Sequence, residues 1–161
     1  MVETINLFIL DKNFNVLGTL SNTGDFSKII PYYEDLYTQD LTTGAEVFEF
    51  TTSSYSRNSQ YLTIGNYIAF KYNNEYKLFN IISIEENHEE TLEKTVYCEM
   101  AGIELINEII RPIKILNSSL RKFLTTILEG TEWQLGKIDA GFTQVFDFES
   151  TDYKSAYELI L

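Results

Sequence analysis

Reactive side chains are few in this sequence and badly placed for cooperation. His88 is the only histidine and sits in a run of charge, Glu86-Asn87-His88-Glu89-Glu90. A zinc-protease helix needs a second histidine one turn on, and position 92 is leucine. A serine or cysteine nucleophile would need His88 as its base, and nothing nearby orients that ring. Cys98 is also alone, which excludes an intrachain disulfide and thiolate-rich metal sites. Its place in an alternating Thr95-Val96-Tyr97-Cys98-Glu99 pattern predicts a small buried hydrophobe. Carboxylates number 24, enough to hydrolyse a glycan in principle, yet no aromatic-flanked acidic pair stands out. Gly136 and Gly141 do not complete a phosphate loop. Asn117-Ser118-Ser119 matches a glycosylation sequon and equally a helix cap, the better reading. No catalytic residue, cofactor or metal ligand is therefore assigned.

Tyrosine is the remaining chemistry. Tyr32, Tyr33, Tyr37, Tyr55, Tyr61, Tyr67, Tyr72 and Tyr76 suit a sugar-binding face through their rings and hydroxyls. They equally suit strands and subunit interfaces, where one end of the side chain is dry and the other wet, and this second reading is preferred. The formal charge of −12 argues against a surface that grips nucleic acid. The deficit is spread along the chain, at −5 over residues 1–60, −4 over 61–100 and −3 over 101–161, with no acidic tail. The apolar N-terminal run is short, interrupted and without a basic flank, so neither a signal peptide nor a membrane span is read.

The elements that would carry these groups change character near residue 100. Alternating patterns predict strands at 4–10 and 15–20, at Val47–Phe50, and at 67–72 and 76–84 around an Asn73-Asn74-Glu75 turn. Another strand is expected at Thr95–Glu99. The arm at 76–84 is almost continuously apolar, which predicts cover on both faces. Residues 26–44 read as a short helical turn or loop edge, and Thr51–Gln60 as exposed, mobile loop. Beyond residue 100, Ile103, Ile106, Asn107 and Ile110 predict a helix stopped at Arg111-Pro112.

Next comes the best-defined stretch. Leu120, Phe123, Leu124, Ile127 and Leu128 form one helical stripe behind a cap at Asn117 or Ser118, and Gly130 stands where a left-handed exit is wanted. Trp133 and Leu135 then alternate with polar neighbours, which predicts a strand at 132–138, with another at 142–148. A last stripe, Tyr153, Ala156, Tyr157, Ile160 and Leu161, starts behind Ser150 and Thr151. An apolar face cut off in mid-pattern leads us to expect a longer natural protein, truncated here, or a partner that covers it. The fold class expected is mainly β plus α+β: a β-barrel-like domain at 1–100 and the start of an α+β domain at 101–161.

The pieces taken in order resemble the N-terminal region of phage tail-hub proteins, the tail-associated lysin or prophage endopeptidase tail family of siphophages. They are Ile5–Leu10 with Val16-Leu17, Gly44–Phe50, Lys77–Ile81, and Val96–Met100 running into the Leu105 helix. The most specific is Leu120–Gly136, which looks like that family's helix, Gly-Thr, Trp, Gly signature: Leu120, Phe123, Leu124, Ile127, Leu128, Gly130, Trp133 and Gly136. The resemblance implies a baseplate-hub-like fold and a ring-shaped homotrimer at the virion tail tip, made in the bacterial cytoplasm. Implied partners are the distal tail protein ring, the tail tube and the tape-measure protein, with DNA passing through unbound during ejection. In many relatives a peptidase or receptor-contacting region lies further on; nothing in these residues corresponds to it. A carbohydrate-binding module that contacts host cell-wall glycan is the alternative reading.

Overall fold

The computed structural model describes residues 5–24, 29–87 and 92–160. The chain divides into two compact units, Met1–Ala101 and Gly102–Leu161, each with its own apolar core.

The first unit is one antiparallel sheet of seven strands. They are β1 (Leu7–Leu10), β2 (Val16–Leu20), β3 (Tyr32–Gln39), β4 (Glu46–Ser53), β5 (Tyr67–Tyr72), β6 (Glu75–Asn87) and β7 (Glu93–Met100), in the order β2-β1-β5-β6-β7-β4-β3. Its two edges are drawn together at one corner. Leu20 bridges Ile30, the Ser21 amide donates to the Ile30 carbonyl at 2.8 Å, and the Tyr32 amide donates to Asn22 Oδ1 at 3.0 Å. The sheet is therefore curled and barrel-like, and alternate residues of β1, β4, β5, β6 and β7 fill its interior. Leu7 and Ile9, Phe48 and Phe50, Ile68 and Phe70, Phe79 and Ile81, and Val96 and Cys98 are all buried there.

Two local devices keep this register. Between β5 and β6 the two-residue turn Asn73-Asn74 holds both residues at positive φ, 48° and 65°, the backbone sense that matches strand twist. Between β1 and β2, the Asp11 carboxylate accepts the amides of Asn13 at 2.8 Å and Asn15 at 2.9 Å. The Asn15 side chain does most to hold the Asp11 carboxyl below the usual carboxylate range.

Three expectations for this unit are corrected. Residues 32–39 are an edge strand and not a helical turn. A bulge between Tyr33 and Leu36, with Glu34 at φ 52°, breaks the two-residue alternation by which a strand is recognised. The apolar run of β6 does not have both faces covered, because Ile82 is 39% exposed. Here too a bulge intervenes between Ile81 and Ser83, so Ile81 opposes Cys98 and Ile84 opposes Val96, and the inward spacing stretches from two residues to three. Finally, Thr51–Gln60 is not simply an exposed loop. Thr51 and Thr52 are buried in β4, and buried Ser59 donates its hydroxyl to the Ser54 carbonyl at 2.6 Å. Lys94 reaches the Ser59 carbonyl at 3.3 Å while pairing with Glu86 at 2.8 Å, so a desolvated ammonium is matched on two sides. Tyr55 is the exposed part.

In the second unit, β9 (Ile113–Ser119) pairs with β10 (Val145–Ser150), and β8 (Ile109–Ile110) with β11 (Lys154–Ser155). The helices are α1 (Leu120–Leu128) and α2 (Ala156–Ile160). The predicted helix over Ile103–Ile110 is a 3₁₀ stretch, Ala101–Asn107, followed at once by β8. Gly102 and Pro112 leave too short a window for a cooperative α-helix, and β8 gains a ladder partner instead. The cap of α1 is Ser119, whose Oγ accepts the Lys122 amide at 3.3 Å; Asn117 and Ser118 belong to β9, a strand absent from the sequence reading. Ser150 and Thr151 likewise do not cap α2. Ser155 does, in a reciprocal box with Glu158: the Glu158 amide donates to Ser155 Oγ at 3.2 Å, and the Ser155 amide donates to Glu158 Oε2 at 3.0 Å.

Ser119→Ala is expected to cost about 1 kcal/mol by orphaning one amide of the first helical turn. Thermal denaturation measures it, and a loss below about 0.3 kcal/mol would show that the hydroxyl is not the cap.

Candidate functional site

The signature stretch builds a compact helix-exit motif. Phe123 and Ile127 face the core of the second unit, and Leu120, Leu124 and Leu128 pack half-buried against it. The Phe123 ring lies 4.9 Å from Phe148 and 5.5 Å from Phe146, edge to face, which locks α1 onto β10. Gly130 takes φ 86° with open space around its α-carbon, so its requirement is one of backbone conformation and not of room.

Thr131, present in the Gly-Thr pair of the signature but given no role by the sequence reading, does the next step. Its hydroxyl donates to the Leu128 carbonyl at 2.9 Å and accepts the Trp133 amide at 3.1 Å. One side chain thus ends the helix and sets the direction in which the chain leaves. A Ser or Thr directly after a helix-terminating glycine is the signal that would have pointed to it.

Here the expected strand at 132–138 is corrected, because no strand is formed between α1 and β10. Trp133 and Leu135 are half-buried and their neighbours exposed, but the alternation stops there, since Lys137 is exposed and Ile138 half-buried, and no ladder partner forms among the described residues. Alternation reports which way side chains point; a strand also needs a second backbone alongside. Gly136 is exposed in this segment. Trp133 and Leu135 line, with Thr125 and Leu128, a shallow groove of about 380 Å³ along α1.

The tyrosines do not gather on one face. Tyr32 points inward, with its ring 6.2 Å from Phe50 and its hydroxyl donating to the Ile5 carbonyl at 2.6 Å. Tyr37 packs edge-on to Phe70 and Phe79, and the Lys77 ammonium lies 5.9 Å from its ring centre while pairing with Glu46 at 2.7 Å. Tyr33 binds the Glu93 carboxylate. Tyr55 and Tyr76 stand well out of the surface, and Tyr61 and Tyr67 are half-buried.

Tyr72 and Tyr76 share a cavity. It holds about 570 Å³ and opens where the start of β1 parts from the β5–β6 hairpin tip. Asn6, Phe8, Lys71, Asn73 and Asn74 complete most of its wall. Lys71 and Tyr76 oppose each other in the ladder, and Phe8 lies on the same face, opposite Ala69. The wall therefore combines aromatic rings, amides and one ammonium.

Titratable chemistry is muted. Burial pushes the Cys98 thiol up, so it is a packed hydrophobe and not a nucleophile. Burial, and then the Asp35 carboxylate, push the Tyr32 hydroxyl up to about 12. The fold keeps the neutral phenol, so its contribution is complete below about pH 10 and is lost as pH climbs through about 12. Tyr32→Phe should flatten part of that alkaline decline and cost about 0.5–1.5 kcal/mol near neutrality for the lost hydrogen bond. Denaturation midpoints at about pH 8 and about pH 11 test it, an unchanged alkaline decline being the adverse result. His88 lies outside the described residues. Among the described residues no three acidic, histidine or cysteine side chains are grouped to hold a metal, and no helix is long and apolar enough to cross a membrane.

No protein-family model matches the chain, and no curated protein sequence does. Solved structures do. The tail protein from Neisseria meningitidis MC58 is similar at a TM-score of 0.55 and 10% identity, over 97% of this chain and 43% of that one. The Francisella PdpA-VgrG complex, in its lidded form, gives 0.47 and 16% identity over 95% of this chain and 23% of that one, too low a similarity to define a shared fold. The chain thus spans less than half the length of the Neisseria protein, and at 10% identity the likeness is one of fold. Across both units, this is a β-dominated fold like that of a tail protein.

Proposed function

We propose that this chain is a structural component of a phage-type tail tip, a baseplate-hub protein that extends or closes the tail tube and forms part of the DNA-ejection conduit. The observation that carries this reading is the fold likeness to a tail protein over 97% of the chain, which takes in both units in order and not one common module. The order of sequence patches that resemble tail hubs supports it independently. Within the signature stretch that support is narrower than the sequence suggested: helix and glycine exit hold, whereas the segment that follows joins no sheet among the described residues.

On this reading the chain works as a homotrimeric ring between the distal tail ring, the tail tube and the tape-measure protein, in the virion. No catalytic step is assigned to these residues; a peptidase or hydrolase would belong to a longer natural protein. The charge of −12 suits a conduit that must pass DNA without holding it, since like charge repels phosphates within a Debye length.

Light scattering coupled to size exclusion is the direct test. A trimer, or a chain that gains order on trimerising, is the expected result, and a strictly monomeric chain at every concentration counts against the hub. A trimer whose lumen proved basic would remove the electrostatic part of the proposal. Release of reducing ends or peptides from bacterial cell walls would overturn the non-enzymatic reading.

A further inference from the structure

Beyond a structural role, we infer that the cleft between the start of β1 and the β5–β6 hairpin tip is a binding site for a saccharide. The first reason is composition. Saccharides present alternating patches of C–H and hydroxyl, and are held by flat rings beside groups that both donate and accept hydrogen bonds. This wall supplies the Tyr76 and Phe8 rings together with three carboxamides, Asn6, Asn73 and Asn74, each carrying two donors and one acceptor oxygen.

The second reason is availability. Tyr76 is 76% exposed although it is a large aromatic. None of the three carboxamides makes a side-chain hydrogen bond among the described residues, in contrast to Asn15, Asn22 and Asn66, whose side chains all do. The third is rigidity. Asn73 and Asn74 are fixed at positive φ in the shortest hairpin connection, and the Tyr76 ring stands directly across the ladder from Lys71. The backbone that carries Asn73, Asn74 and Tyr76 is thus set before a ligand arrives, which lowers the ordering cost of binding. A cavity of about 570 Å³ lies within the range of small-ligand sites.

Lys71 refines the class. It forms no ion pair among the described residues and stands in a protein of net charge −12. A sugar that bears a carboxylate gains from it, whereas a neutral sugar gains from the rings and amides alone.

The test is an NMR titration of the ¹⁵N-labelled full chain with maltotriose, cellotriose, chitotriose and trigalacturonate. Saturable shifts of the Asn6, Asn73 and Asn74 side-chain amides are expected with at least one probe, the acidic one binding most tightly. Tyr76→Ala and Asn74→Gly should each weaken that binding about tenfold. Both variants keep the fold testable: Tyr76 is mostly exposed, and glycine accepts the left-handed turn position more readily than asparagine does. Lys71→Gln should weaken trigalacturonate and leave neutral probes unchanged. Absence of saturable shifts with all four probes overturns the site, and so do shifts that persist undiminished in both Tyr76→Ala and Asn74→Gly. Oligomeric state is measured separately, so failure here leaves the tail-tip proposal standing.

Discussion

Phe70→Ala should lower the stability of the first unit by about 3–5 kcal/mol, the largest loss expected from one substitution there. Phe70 is 1% exposed and is the ring on which the interior converges. It lies 4.6 Å from Phe48, stacks on Phe79 at 5.5 Å with the planes 1° apart, and meets Tyr37 edge-on at 6.3 Å. Four strands, β3, β4, β5 and β6, meet through these contacts, so truncation forfeits transfer energy, aromatic geometry and cross-sheet packing together. A curled sheet cannot collapse onto the void without moving strands held by ladders on both sides. Urea denaturation followed by circular dichroism measures the loss. A cost below about 1 kcal/mol would mean that this ring cluster is not packed as described, whereas Tyr55→Ala, at 77% exposure, should change stability by less than about 0.5 kcal/mol.

Ile127→Ala is expected to unfold the second unit outright. The buried apolar cluster among the described residues there is small: Leu105, Ile115, Phe123, Ile127 and Ala156, with Ile127 at 0% exposure. Removing it costs about 2–5 kcal/mol, comparable with the whole stability that so small a core supplies. Trp133 is the only tryptophan and packs half-buried against this core, which makes its emission a reporter of the second unit. A red-shifted, solvent-exposed emission in Ile127→Ala is the expected result. Ile127→Val, which keeps most of the volume, should lose about 0.5–1.5 kcal/mol and retain the native spectrum. Native emission in the alanine variant would show that α1 is held by something other than its apolar stripe.

The two substitutions also mark how far the candidate sites were legible beforehand. Ile127 falls on a stripe that sequence spacing identifies, because residues three and four apart share a helix face whatever lies opposite. The partners Phe146 and Phe148 were not legible, since β10 reaches α1 only by pairing with β9, a strand that the sequence reading did not contain. Among the tyrosines, composition suggested eight candidates for one face. Strand alternation and the bulge in β3 scatter them, sending Tyr32 inside and leaving Tyr72 and Tyr76 together at the hairpin tip. The amides that share that cavity come from two segments far apart in the chain, and no local pattern links Asn6 to Asn74.

The sequence by itself determined what each residue asks of its own neighbourhood. Asn73-Asn74 asks for a left-handed turn, Gly130 for a left-handed exit, the 120–128 stripe for an apolar wall, and Cys98 for a dry pocket, and each request is met. These are properties of backbone sterics and side-chain period, which act within a few residues. Only the tertiary structure decided the rest: the closure of the sheet at Leu20 and Ile30, the bulges that reset Tyr33 and Ile82, and Ser119 in place of Ser118 as the cap. It also left Trp133–Gly136 without a ladder partner among the described residues. Those outcomes depend on which distant backbone arrives alongside, and the loop-closure entropy and ladder geometry that settle it involve pairs of segments together.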